Sequence, residues 1–369
     1  MAADVGTLFN AGPKVVEGAT FEEGLSFEDL GGPMMHCTNG TIDNLAANEA
    51  GCFDQIRTVL GYLPNSGLDA PPVVPCTDPE AREDLSLRSI IPRKQTRMYN
   101  PRFIIKSVID HGSWFEIGAL WGKTAISGLA RLAGHPVGVI SLNCEVNGGA
   151  LDAQGSQKLT RFLKLCDVMN IPVLQFLDIR EWSPLPGKIH LLKISLICLI
   201  RIPNTDLCMI AGYAIGTIAE RTSVMRWGIE LTKAYFSTTT PIFSVITRRV
   251  FGVAGGVMLA ARDPPMQVAW PSGQWGSLPL EGGIEVGHRH ELREAEKVGR
   301  KEEMYEALDA EYRRLMNPVR TANAFGVEEI IDPKDTRQVC CAWVRHMYGA
   351  IMRERLAHRA SGKIQPSFT

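Results

Sequence analysis

No Cys-x-x-Cys pair occurs among the nine cysteines at 37, 52, 76, 144, 166, 198, 208, 340 and 341. An odd count without paired spacing supports neither a disulfide framework nor a zinc knuckle, and points to reduced thiols in an intracellular compartment. Charge of one sign is also missing, because 39 Lys and Arg face 40 Asp and Glu. With no local basic patch either, neither nucleic acid nor a membrane surface is an expected partner. The most apolar stretch, 189–202, is cut by Lys193 and Arg201 to seven uncharged residues, against the ~20 that a membrane span requires. The opening MAADVGTLFN has no basic export region and no Arg-rich amphipathic start. A cytoplasmic location is expected, or a mitochondrial one if a longer N-terminus carries the address. Catalytic signatures are scarce too: there is no G-x-S-x-G elbow, no G-x-G-x-x-G, no phosphate loop and no Met-Lys-Met biotinylation site. His288 and His290 have no Cys or carboxylate partner at zinc spacing, so no metal is expected. Adjacent His36 and Cys37 do not face each other in the way a nucleophile and its base must.

What is present is a core. The chain has 369 residues, 45% of them hydrophobic, enough for one large domain or two smaller ones. Proline and charge concentrate in 67–94, which reads as a linker after a helix that ends near Leu60. Beyond it, β-rich runs alternate with helical patterns. PVGVISL (136–142), IPVLQFLD (171–178), PIFSVIT (241–247) and MQVAW (266–270) read as strands. Helices are expected between 156 and 170, between 221 and 237 and from Ala254. This alternation predicts an α/β layered fold. One long charged helix is expected over 290–316, with Glu296–Arg300 and Asp309–Arg313 pairs, and a last helix begins near Pro333.

Two glycine turns stand out. RRVFGVAGGVMLA (248–260) places Gly252, Gly255 and Gly256 where a strand passes into a helix, and Gly148-Gly149-Ala150 follows another strand. A strand, glycine turn and helix in succession leave free N–H groups at a helix start, where they can hold negative charge developing on an oxygen. Small side chains there let a bulky ligand approach the main chain.

The segments LFNAGPKVV, EDLGGPMMHCTNGTIDNLAANE, YNPRFIIKSVIDHGSWFEI, GALDAQGSQKLTRFLKLCDVMNIPVLQFLD, RRVFGVAGGVM, VAWPSG and NAFGVEEIIDPKDTR together resemble the carboxyltransferase (β) subunit of biotin-dependent acyl-CoA carboxylases. That family belongs to the crotonase superfamily, and the resemblance covers nearly the whole chain. It implies a crotonase-like ββα superhelix in which residues 1–66 are the tail of a first carboxyltransferase unit and 95–369 a complete second one. It implies transfer of a carboxyl group from carboxybiotin, held on a separate carrier, to an acyl-CoA. The implied partners are a biotin carboxylase, a biotin carrier and further copies of the chain in a homo-oligomer.

By position, the resemblance makes the Gly252, Val253 and Ala254 amides the oxyanion donors. Gly149, Ala150, Leu151, Asp152, Pro186, Gly187, Tyr213 and Gly216 would line the biotin side. A bulky residue at Ala254 is then expected to block acyl transfer and spare the fold. Gly256 stands where acetyl- and propionyl-type members carry an acid, whereas Gly149–Asp152 matches the propionyl type, so the acyl group stays open. Residues 188–212 interrupt a Pro-Gly-aromatic pattern that rejoins when Gly187 meets Tyr213. They read as an insertion or a retained intron, since Gly187-Lys188 can be encoded as a splice donor. The alternatives carried forward are a catalytically silent structural subunit and another acyl-CoA reaction such as decarboxylation.

Overall fold

Parallel strands flanked by helices are buried on both faces and therefore read as nearly continuous apolar runs, which is the character of residues 136–142 and 171–178. The computed structural model describes residues 1–94, 97–179, 212–214, 216–260, 266–276, 280–323 and 326–364. Its sheet contains β1 (Phe115–Ile117), β2 (Ala125–Leu132), β3 (His135–Leu142), β4 (Val173–Ile179), β5 (Ile242–Phe251), β6 (Gln267–Ala269), β7 (Gln274–Gly276) and β8 (Glu329–Ile330). The order is β1-β2-β3-β4-β5-β6-β8, with β7 beside β5. Pairing is antiparallel from β1 to β3 and parallel from β3 onward. The carboxyl ends of β3, β4, β5 and β6 thus share one edge, where open α/β sheets bind ligands.

Four helices lie before residue 67: α1 (Pro13–Thr20), α2 (Phe27–Gly31), α3 (Pro33–Asn39) and α4 (Glu49–Leu60). Then come α5 (Leu87–Ile90), α6 (Pro101–Val108), α7 (Ala153–Val168), α8 (Thr217–Arg221), α9 (Val224–Ser237) and α10 (Gly252–Ala260). The C-terminal part adds α11 (Leu280–Gly287), α12 (Arg289–Lys297), α13 (Lys301–Leu315), α14 (Pro318–Asn323), α15 (Thr336–His346) and α16 (Met352–Ala360). Alternation along the strands divides the core. Ile140, Leu142, Val173, Leu177, Ile246 and Val250 face α7, α9 and α10, while Val137, Val139, Leu174 and Phe176 face α6 and α15.

The structure departs from the sequence reading in three places. β1 and β2 had no clear periodic signal, because Gly128 breaks the apolar run of β2. A Cβ there would lie 2.4 Å from Phe115 O, so the glycine is what admits β1. The charged helix is two helices, broken where Gly299 takes φ +69°. The expected Glu296–Arg300 pair is replaced by Glu296–Lys301 and Arg300–Glu303, while Asp309–Arg313 forms as expected. β5 runs on to Phe251, so no loop separates it from α10.

Residues 67–94 lie as a strap across the domain. Asn170 donates to Gly67 O and Asp69 O, and Val74 N donates to Gly134 O. Arg337 donates to Asp78 O and Pro79 O, and Leu87 is buried. The seven cysteines among the described residues are free, and no described helix is long and apolar enough to cross a membrane.

One buried cation fastens the loop between β1 and β2 to α7. Lys158 Nζ donates to Gly118 O and Ala125 O at 2.8 Å and to Trp121 O at 3.2 Å. Burial, opposed by Glu116, pulls its ammonium down to about 8. The folded chain therefore releases this proton before the unfolded chain does, so this group makes folding more favourable as pH rises from about 8 towards 10.5. Urea titrations should show wild type gaining roughly 2 to 3 kcal/mol on Lys158→Met between pH 7.5 and 10. A pH-independent difference would contradict this account.

Candidate functional site

The strand β5 ends at Phe251 and the next residue, Gly252, takes φ +66°, a left-handed conformation that suits glycine. The chain reverses there and α10 begins at once. Gly252, Val253 and Ala254 lie in its first turn, whose N–H groups have no acceptor within the helix. The positive end of the helix dipole points the same way. Gly252 and Val253 are half-buried and Gly256 is exposed with nothing near its Cβ position among the described residues. Ala254 differs: it is 1% exposed and its methyl group belongs to the core. A bulky residue at Ala254 would therefore unseat packing as well as block approach, contrary to the sequence expectation.

The second turn reaches the same edge. Gly148 and Gly149 take φ +63° and +93° after β3. Ala150 and Leu151 then turn into the core. Asp152 caps α7, its Oδ1 accepting from Gly155 N at 2.7 Å and from Thr124 Oγ1 at 2.8 Å.

Residues 212–214 strap the two turns together. Leu151 N donates to Gly212 O and Ala214 N donates to Leu151 O, which engages both main-chain groups of Leu151. Leu151 is accordingly fixed by main-chain bonds on both sides. Gly212, at φ +104°, sits so close to α10 that a Cβ would lie 2.8 Å from the Ala254 methyl group. Tyr213 packs its ring on Gly228 of α9, where a Cβ would lie 3.0 Å from Tyr213 Cζ, and donates its hydroxyl to Gly228 O. Burial pushes that hydroxyl up to about 12, so it stays protonated at neutral pH. Gly216 opens α8 at φ +105°, exposed. Pro186 and Gly187 lie outside the described residues.

An ion cluster underlies this edge. Asp178, near the end of β4, accepts from Arg248 Nε at 3.0 Å, Arg248 Nη2 at 2.7 Å and Arg249 Nε at 3.3 Å. Burial alone would raise the Asp178 carboxyl, but the guanidiniums of Arg249 and Arg248 outweigh it and hold it below its ordinary value. The Arg248 guanidinium also stacks on the Tyr99 ring at 4.9 Å. Sequence reasoning did not single out Asp178, Gly212 or Gly228. The available signals were an Arg-Arg pair inside a strand, the acid ending the preceding strand and a mid-helix glycine.

The first turn of α10 can hold a partly negative oxygen by main-chain donors, with a glycine surface for a bulky group, whereas the Gly149, Ala150 and Leu151 amides of the other turn already donate to Val146 O, Asn147 O and Gly212 O. No cluster of three or more potential metal-ligating side chains occurs among the described residues.

The family described as carboxyl transferase domain matches residues 1–187 and 193–357. The propionyl-CoA carboxylase carboxyltransferase subunit of Haloferax mediterranei is 31% identical over 349 residues, covering 94% of this chain and 61% of its own length. The mitochondrial propionyl-CoA carboxylase beta chain of Homo sapiens is 31% identical, with 92% and 56% covered. Methylmalonyl-CoA decarboxylase subunit alpha of Veillonella parvula is 29% identical, with 91% and 58% covered. Among solved structures, the transcarboxylase 12S hexamer with methylmalonyl-coenzyme A and methylmalonic acid bound superposes with a TM-score of 0.78 at 25% identity, over 93% of this chain and 59% of that one. The chain thus spans about 60% of the length of the curated relatives it matches. On the extent of that match and the shared carboxyltransferase fold, the chain belongs to the carboxyl transferase domain family.

Proposed function

We propose that the chain transfers a carboxyl group between biotin on a separate carrier and an acyl-CoA, with propionyl-CoA the first substrate to test. The observation that carries this reading is the left-handed Gly252 between β5 and α10, which puts first-turn amides at the carboxyl edge of the parallel strands. The donor set fits an oxygen on a thioester or a ureido ring, because it is made of neutral main-chain N–H groups with the open surface of Gly256 one turn along the same helix. When bound, the carboxylated ureido group would supply CO2 by cleavage of its N–C bond and, at the freed nitrogen, a base for the proton that leaves the acyl α-carbon as the new C–C bond forms. The Gly252, Val253 and Ala254 amides hold the oxygen on which charge develops. Gly149, Ala150, Leu151 and Asp152 shape the wall, and Tyr213 fixes its distance from α9.

A biotin carboxylase and a biotin carrier protein are the partners this chemistry needs, and a homo-oligomer is the assembly we expect by analogy with the hexameric relative. The similarity to a methylmalonyl-CoA decarboxylase subunit supports a second reading, removal of the carboxyl group from the same class of thioester. Purified chain should be incubated with carboxylated carrier and a panel of acyl-CoAs, alone and with a full-length relative. Carboxylated product from the chain alone supports transfer. Product only in the mixture supports a silent structural subunit, and release of CO2 from methylmalonyl-CoA without transfer supports decarboxylation.

We also read residues 188–212 as an insertion. The family match is interrupted at 188–192 and resumes at 193, so it sets five of these residues outside the family pattern. Deleting 188–212 would bring Gly187 to the seat that Gly212 holds against Ala254. The deleted chain is expected to unfold at the same or a higher temperature than the full chain; a lower one, or a transcript that encodes the segment throughout, would count against the insertion.

A further inference from the structure

Gln175 is a polar side chain on an apolar face. It lies in β4 between Val173 and Leu177, fully buried. Its three hydrogen bonds reach three other elements. Nε2 donates to Ser244 Oγ of β5 at 2.6 Å and to Met258 O of α10 at 2.7 Å, and Oε1 accepts from the Tyr235 hydroxyl of α9 at 3.0 Å. A buried amide left unbonded is destabilising, so the bonds explain why it is tolerated. They do not explain why it is there, since apolar groups of matching shape can hold such a layer about as well.

The bond to Met258 is the informative one. Met258 sits in the last turn of α10, where carbonyls lack an intrahelical donor. At the other end of the helix, Gly255 lies so close to β5 that a Cβ would be 2.7 Å from Val250 Cγ1. The helix that offers the site's amides is thus clasped to the sheet at both ends, once by close packing and once by Gln175.

We propose that Gln175 is a positioning residue for the carboxyl-transfer site: by holding Met258 O it sets the tilt of α10 and so aims the Gly252–Ala254 amides. This rests on the function proposed above. Met258 lies about 9 Å along the helix from Gly252 at the usual rise. With that bond gone the helix pivots on its Gly255 contact, about 4.5 Å along the axis from Gly252, so a tilt of roughly 10° moves the first-turn amides by about 0.8 Å. A misplacement on the order of 1 Å can cost on the order of 100-fold in rate.

Gln175→Met keeps the length and removes all three bonds. In whichever assembly gives wild-type turnover, kcat is expected to fall about 10- to 100-fold with KM for the acyl-CoA changed less than about threefold. Amide exchange over 253–260 should accelerate about tenfold relative to β2 and β3. Ser244→Ala and Tyr235→Phe each remove one bond but leave the clasp, and should keep kcat within about threefold of wild type. Gln175→Glu can donate to Met258 O only when protonated, so its kcat relative to wild type should fall as pH rises; it carries the test if Gln175→Met does not fold. Unchanged kcat in Gln175→Met overturns the proposal, as do losses of equal size in all three variants that track their unfolding temperatures. If the wild type transfers no carboxyl group, the functional reading fails instead, and unchanged exchange in α10 still overturns the clasp.

Discussion

Gly252→Val should reduce carboxyl transfer by about 100- to 1,000-fold, the usual cost of losing a main-chain or side-chain donor to a developing oxyanion. The cause is conformational. Gly252 holds φ +66°, where a residue with a Cβ is strained by roughly 1 to 2 kcal/mol and a β-branched one is a genuine outlier. The turn relieves that strain by rotating its peptides, which turns the first amides of α10 away from the edge of the sheet. The fold has much less at stake, because β5 is paired on both sides and α10 keeps its contacts with Val250 and Gln175. The measurement is turnover of carboxylated carrier and acyl-CoA beside a thermal unfolding curve. Turnover within about threefold of wild type, in a protein that unfolds normally, would remove the amides of α10 from the mechanism.

Arg355→Ala should cost about 3 to 5 kcal/mol of stability, the range for removing one partner of a buried ion pair. Arg355 lies on α16 and its side chain is 3% exposed, against 0% for Asp167 on α7. Its guanidinium donates to Asn170 Oδ1 at 3.0 Å, Thr239 Oγ1 at 2.6 Å, Asp167 O at 3.0 Å and Asp167 Oδ1 at 2.9 Å. Arg359, one turn on, donates to Val168 O at 2.8 Å and Gly67 O at 3.1 Å. Together the two arginines fasten the last helix to the end of α7, where helix carbonyls lack intrahelical donors, and to the start of the strap at Gly67. Arg355→Lys should lose most of the same stability, because a single ammonium cannot reproduce the planar fork. Urea titration of the three proteins checks this. A loss below about 1 kcal/mol in Arg355→Ala would mean that Arg359 and the apolar contacts hold α16 without Arg355.

The layered architecture was legible because its signals are local. β3, β4, β5 and β6 carry buried apolar runs, and the helices between them carry helical spacing, so strand and helix alternate in the order that the chain reads. The glycine turn at Gly252 was legible for a similar reason, since strand, glycine and helix follow one another in the chain, while its left-handed φ came from the structure. β1 and β2 were not, because Gly128 is explained only by the Phe115 carbonyl above it. Nor was the break at Gly299, where helix-forming residues on both sides hide a single left-handed glycine.

By itself the sequence determined the four central strands β3 to β6, where glycine turns meet helix starts and which family supplies the template. The tertiary structure alone decided that Ala254 is core while Gly256 faces out, that Gly212 rides against Ala254, that Thr124 holds Asp152 and that Gln175 reaches Met258. The physical reason is range: periodicity and turn chemistry act over a few neighbours in the chain. Burial and hydrogen bonds between residues about eighty positions apart exist only once the layers have closed on one another.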